Sequence, residues 1–345
     1  MRLLFCRLCP ALLCLLIMGC QVSEPLLSPS LELSRNLEAS KKLEPASALT
    51  TLYDYQLSDT NKQPLTPAQA AAQLADFDVI MVGELHGHQG IHRFQADLFA
   101  HLLQQHRPWV LAMEQFSRDH QAELDRYLAG ELGEDAFIKQ AQAWPSYKSD
   151  YRALLTLAKN NRAKNVPATV IAANAPRSIV RCIGKFGPEY LKTLPASDRG
   201  WVAEQLTLSD DDYKARFMAN RHHGQAPSEQ QFAAQTSWDD TMAESIADYL
   251  AQQPSHGVML TVGRFHIAEG LGTVARLQQR NPKLKIALIY PVTADEAAPE
   301  ALSARSDAPP IMWTVKVAAL PPTRLEGEPL PAFSLGEPDC PFMNK

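Results

Sequence analysis

Glutamate and histidine recur at one kind of place in this chain, directly after a short apolar run. The run DVIMV from Asp78 leads into Gly83-Glu84-Leu85-His86, and VMLTV from Val258 leads into Gly263-Arg264-Phe265-His266. WVLAM from Trp109 leads into Glu114, and ATVIAAN from Ala168 ends at Asn174, shortly before Arg177. Glu84, His86, Glu114 and His266 have the residue types of a divalent-metal site, because imidazole and carboxylate both suit zinc or iron. The same types serve metal-free acid and base work, in which glutamates near histidines are tuned toward neutral pH. The residues alone leave both open. No HExxH helix, GxSxG elbow or P-loop is present, so the reaction classes those motifs serve have no support.

A second constellation is aromatic. In Trp144-Pro145-Ser146-Tyr147-Lys148-Ser149-Asp150-Tyr151-Arg152, helical spacing puts Tyr147 and Tyr151 on one face with Lys148 and Arg152 beside them. Haem binding needs an axial ligand, apolar walls and cations for the propionates, and a tyrosinate is an accepted ligand. The competing reading is an amphipathic helix whose aromatics only pack. His88 and His92 form an i, i+4 pair that reads as a solvated helix face, and His222-His223 reads as a surface pair or a loop ligand.

These residues need elements that bring them together. Besides the runs above, KIALIY from Lys285 and IMWTVKV from Ile311 read as strands. Most are apolar on both parities, which marks strands covered on two faces. Helical patterns lie between them; Ile91, Phe94, Leu98 and Leu102 recur near the helical period, and Thr66-Pro67 reads as a helix start. The expectation is an α/β fold with a largely parallel β-sheet flanked by helices. Residues 175–255 and a stretch between Met113 and Ala168 read as helical insertions packed beside or over the sheet. In a parallel sheet the strand ends converge on one edge, where ligands of open α/β folds bind.

The chain begins with an address. Residues 1–19 combine Arg2 and Arg7 with the apolar stretch LCPALLCLLIM, too short to span a bilayer, and read as a secretory signal. Leu16-Ile17-Met18-Gly19-Cys20 resembles a bacterial lipobox, which makes Cys20 the acylated mature N-terminus. Several acyl chains give stable anchoring where one is marginal. Gln21, in place of Asp, favours the outer membrane by resemblance to bacterial sorting rules. Residues 20–50 read as anchor and tether, reaching on the order of 30 Å. Residues 51–317 form the expected body, and 318–345 a Pro-rich tail expected to be poorly ordered. After export only Cys182 and Cys340 remain as thiols, paired or free, in a compartment that permits disulfides. With 33 Lys and Arg against 38 Asp and Glu, the chain is acidic and lacks the basic stripe that nucleic acid requires.

VGELHGHQGIHRFQADLF from Val82, LAMEQFSRDHQ from Leu111, WPSYKSDYRALLTLAKNN from Trp144, VIAANAPRSIVRCIGKFG from Val170 and LTVGRFHIAEGLG from Leu260 together resemble the ChaN family of haem-binding lipoproteins. The resemblance runs from about residue 50 to 290. It implies an α/β body with a helical part, outer-membrane attachment, and haem bound for iron acquisition beside an outer-membrane haem transporter, with a homodimer sharing the ligand. The superfamily looks related to Tiki metalloproteases and erythromycin-esterase-like hydrolases, and Glu84, His86, Glu114 and His266 fall on the hydrolase-type positions. The alternative implied is therefore a metal-dependent peptidase or esterase. Tyr147 and Tyr151 fall in the block where an iron ligand is sought, with Lys148, Arg152, Arg177 and Arg264 as cations for the propionates.

Overall fold

Strand β3 (Val79–Glu84) is buried at every position, and its alternate residues enter two different cores: Ile80 and Val82 one, Val79 and Met81 the other. That double burial explains its apolarity on both parities. The computed structural model describes residues 49–162, 169–220, 226–297, 309–325, 327–328 and 336–341, all within one compact unit. Signal, lipobox, Cys20 and His222-His223 lie outside the described residues.

In chain order the elements are β1 (Tyr55–Ser58), β2 (Pro64–Leu65), α1 (Pro67–Gln73), β3, α2 (Gln89–Leu102), β4 (Trp109–Ser117), α3 (Gln121–Leu128), α4 (Glu134–Gln140), a π-helical turn (Tyr147–Tyr151), α5 (Arg152–Arg162), β5 (Val170–Asn174), α6 (Arg177–Phe186), α7 (Ala196–Arg199), α8 (Asp212–Ala219), α9 (Glu229–Gln252), β6 (Gly257–Gly263), α10 (Thr273–Arg280), β7 (Ile286–Thr293) and β8 (Ile311–Val317). The fold is α/β. Its sheet has the order β2-β1-β8-β7-β3-β6-β4-β5. From β8 to β5 the strands are parallel, and β1 runs antiparallel to both β8 and β2.

The order contains a reversal. After β3 the chain moves to β4 on one side, and after β6 it crosses to β7 on the other, although β3 and β6 are neighbours. The connections leave in opposite directions and open a crevice above the ends of these two strands.

Helices cover both faces. On one, α2 buries Ile91, Phe94, Leu98 and Leu102 completely, each contributing about 1.5–3 kcal/mol. On the other, α9 and α10 bury Met242, Ile246, Val274 and Leu277 against Val258 and Leu260. The starts of α1 and α9 carry capping boxes, Thr66 with Gln69 and Ser228 with Gln231, which satisfy otherwise orphaned backbone donors.

One expectation changes. His88 and His92 are buried at 0% and 4% exposure. His88 caps α2, its Nδ1 accepting from Gly90 N–H at 3.2 Å and its Nε2 donating to the Ala318 carbonyl at 2.7 Å. His92 faces inward toward Glu84. In the tail, residues 336–341 are held against α6: Cys182 and Cys340 form a disulfide, and Lys185 pairs with Glu337.

Candidate functional site at the carboxyl edge of the sheet

Two glycines let the strand ends approach. A Cβ on Gly263 would lie 3.1 Å from His86 Nε2, and one on Gly83 would lie 2.8 Å from Pro291 Cδ and 2.9 Å from Ile267 Cδ1. This is the physical reason glycine opens each Gly-x-x-His segment. A register shift completes the edge: between the pairs Met113–Ala172 and Ser117–Asn174, β4 places Glu114, Gln115 and Phe116 opposite Ala173 alone. Such a bulge re-aims side chains, here Glu114 and Gln115.

Glu84 is 1% exposed. Its Oε1 accepts from His86 Nδ1 at 2.7 Å, Tyr151 O–H at 2.7 Å and Gln115 Nε2 at 3.2 Å, and its Oε2 from Gln95 Nε2 at 2.9 Å. Burial pushes the carboxyl up, but the His86 hydrogen bond, the charges of His92 and His86 and the Gln95 hydrogen bond hold it below the usual carboxylate range. His86 is raised from its ordinary value, first by its bond to Glu84. Its side chain is 54% exposed, and its ring packs edge-on against Trp144 at 5.4 Å.

The second histidine has its own carboxylate. His266 Nδ1 lies 2.8 Å from Asp239 Oδ1, and its Nε2 lies 3.6 Å from Glu114 Oε1. Asp239 is fully buried and also accepts from Tyr213 O–H at 2.5 Å and Thr273 Oγ1 at 2.8 Å. Burial would push His266 down, but the charges of Asp239 and Glu114 and the Asp239 hydrogen bond push it up to about 9. Glu114 Oε2 accepts the Gly263 N–H at 2.6 Å, and the Glu114 carbonyl accepts from Asn174 Nδ2 at 3.0 Å. The floor thus carries two carboxylate–histidine pairs, Glu84–His86 and Asp239–His266, with Glu114 between them.

Above this floor lies a pocket of about 600 Å³ lined by residues that include His86, Glu114, His120, Trp144, Arg177, Trp238 and His266. The predicted convergence of Glu84, His86, Glu114 and His266 is therefore present. Among the described residues no three His, Cys, Asp or Glu side chains are grouped so as to hold a metal ion. Glu84 spends its oxygens on four donors, and His266 Nδ1 faces Asp239.

The aromatic segment is placed differently from its reading as a ligand block. Tyr147 and Tyr151 are each 1% exposed within the π-helical turn, and neither lines the pocket. Burial raises both phenols well above the ordinary tyrosine value, with Glu84 adding to the effect at Tyr151. Lys148 pairs with Asp135 at 3.3 Å, and Arg152 bonds Glu134 through two nitrogens at 2.8 and 3.0 Å. Arg264 is likewise held by Glu296 at 2.7 and 3.0 Å. Of the four proposed cations, Arg177, exposed at the start of α6, lines the pocket.

Sequence reasoning missed Gln95, Gln115, Asp239 and Trp238. Gln115 adjoins Glu114 and Gln95 stands one turn after His92, so both had a local signal. Asp239 lies 27 residues from its histidine, one polar residue among many in α9.

The family model described as haem-binding uptake, Tiki superfamily, ChaN matches residues 70–277. Among solved structures, the chain is similar to ChaN of Campylobacter jejuni with cofacially bound haem, at TM-score 0.55 and 16% identity, covering 76% of this chain and 96% of that one. An erythromycin esterase mutant, EreC, in its open conformation is more distant, at TM-score 0.42 and 11% identity over 69% of this chain and 77% of the esterase. At these identities the likeness is one of fold. No curated protein matches the chain in sequence. The family model spans more than half of the chain, which therefore belongs to the ChaN family of haem-binding uptake proteins in the Tiki superfamily.

Proposed function

We propose that this protein binds ferric haem in the crevice above β3 and β6 and takes part in haem and iron acquisition at the outer membrane. The observation that carries the reading is His86. Its Nδ1 is pinned to Glu84, its side chain is half exposed in the pocket, and its Nε2 has no hydrogen-bond partner among the described residues. That is the arrangement of an iron-ligating imidazole, whose second nitrogen is oriented by a carboxylate. Bound haem would supply a ferric iron with an axial position to fill, a flat apolar ring and two carboxylates. Trp144 and Trp238 would wall the ring, and Arg177 would pair with a carboxylate.

Family membership supports haem as the ligand. The lipobox supports attachment through acylated Cys20, with Gln21 favouring the outer membrane and an outer-membrane haem transporter as recipient. The pocket is open to solvent, so a homodimer with facing pockets would cover the outer side of the ring; the Campylobacter jejuni relative is described with cofacial haem. Ferric haem titration followed in the Soret region tests the binding, with a saturable stoichiometric shift expected. No saturable shift would refute it. Palmitate labelling that is lost in Cys20→Ser, with the protein fractionating with outer membrane, tests the anchor.

A second reading draws on the paired carboxylate–histidine units flanking Glu114: acid–base hydrolysis of an ester or peptide. Turnover abolished by Glu114→Gln, with the Soret titration unchanged, would establish it.

A further inference from the structure

We propose that Trp144 is a positioning residue for His86: its indole fixes the plane of the imidazole, so that Nε2 is aimed before haem arrives. This rests on His86 as the iron ligand and adds the residue that orients it.

A single hydrogen bond does not fix a half-exposed imidazole. Glu84 Oε1 anchors Nδ1 at 2.7 Å, but the terminal torsion of histidine is broad, and the ring can still turn about that anchor. With the side chain 54% exposed, general burial does not hold it either. Two further contacts restrict the ring. The backbone at Gly263 comes so close that a Cβ there would lie 3.1 Å from Nε2 and 3.3 Å from Cε1. Trp144 meets the imidazole with centroids 5.4 Å apart and planes at 70°, the T-shaped arrangement that aromatic pairs favour. Glu84 and Gly263 are the last residues of β3 and β6, whereas Trp144 comes from the connection between α4 and the π-helical turn.

A side chain can orient another only if it is itself held. Ala143 N–H donates to the Ile138 carbonyl at 3.0 Å, and the Trp144 carbonyl accepts from Tyr147 N–H at 2.8 Å. Pro145 follows, its φ fixed by the ring. Two residues earlier, Gln142 has a φ of 47°, a conformation that a side-chain-bearing residue keeps only where its surroundings impose it. The indole packs on the core that contains Phe137 and Tyr147, and it stands against Tyr151 at 5.9 Å with planes at 85°. Tyr151 is 1% exposed and donates its O–H to Glu84 at 2.7 Å. One buried tyrosine therefore supports both the acceptor that anchors Nδ1 and the indole that sets the ring plane. An imidazole aimed in advance has less side-chain freedom to lose when ligand binds. Trp144 also lines the pocket, and a wall alone predicts a different result from a wall that orients His86.

The experiment is proton NMR of the ferric haem complex with cyanide in the other axial position, which makes the iron low-spin. The spread of the haem methyl shifts in such a complex depends on the direction of the axial imidazole plane. Wild type is compared with Trp144→Phe, Trp144→Leu and Trp144→Ala, and ferric haem affinity is measured in parallel. In Trp144→Ala and Trp144→Leu the spread should collapse as the plane averages over orientations, with affinity about threefold to tenfold weaker, the cost of immobilising one side chain on binding. Trp144→Phe keeps an aromatic edge and should retain the wild-type spread. Trp144→Leu keeps most of the bulk and carries the test should Trp144→Ala fail to fold. An unchanged spread in the alanine and leucine variants, whatever their affinity, would make Trp144 a wall only; it would overturn the inference and leave the binding site intact. Haem binding indifferent to His86→Ala would overturn the ligand assignment and this inference with it.

Discussion

Replacing Tyr151 by phenylalanine separates a structural phenol from an iron ligand. The ring is 1% exposed and packs edge-on with His92 and Trp144, contacts that phenylalanine keeps. What is lost is one O–H bond of 2.7 Å to the buried carboxylate of Glu84. A hydrogen bond to a charged group is worth about 1.5–3 kcal/mol. The folded-to-unfolded ratio should therefore fall by about one to two orders of magnitude, read as a lower midpoint in urea unfolding at neutral pH with an unchanged slope. The variant should still bind ferric haem. A destabilisation below about 0.5 kcal/mol, together with loss of haem binding, would refute the reasoning and return Tyr151 to the role of ligand.

Three further outcomes follow from the same geometry. His266 is raised to about 9 from 6.5, so its stabilising contribution is fully present below pH 6.5 and is lost as pH rises through 9. That is worth on the order of 3 kcal/mol; urea unfolding at pH 6.5 and 9 should show the loss, and His266→Gln should flatten it. Gly263→Ala sets a methyl 3.1 Å from His86 Nε2, and titration should show weakened haem binding in a protein that still folds. Cys340→Ser opens a bridge between residues 158 apart and should cost about 2–4 kcal/mol of stability under oxidising conditions, with no loss once the wild type is reduced.

Strands β3 to β7 were legible because both faces of each are covered, so burial runs through every position of β3, β5 and β6 and all but the last position of β4 and β7. Strands β1 and β2 were not. They are short, and only Leu57 among their residues is buried. The convergence of Glu84, His86, Glu114 and His266 could be read because each follows an apolar run that ends at one sheet edge. The direction of a side chain could not. Tyr147 and Tyr151 fall in a segment with the composition of a haem-ligand block, yet the π-helical turn buries both side chains while Lys148 and Arg152 are taken by Asp135 and Glu134 in the first turn of α4. Likewise, the i, i+4 spacing of His88 and His92 looks solvated until α2 is packed against the sheet. Long-range partners such as Asp239 leave no local pattern at all.

The central claim is that His86 presents Nε2 to haem iron in this pocket. Electron paramagnetic resonance of the ferric haem complex, compared among the wild type, His86→Ala and the Tyr147→Phe/Tyr151→Phe double variant, tests it most directly. The account predicts a histidine-type signal that His86→Ala abolishes and the double tyrosine variant retains. A signal unchanged in His86→Ala and lost in the double tyrosine variant would contradict it.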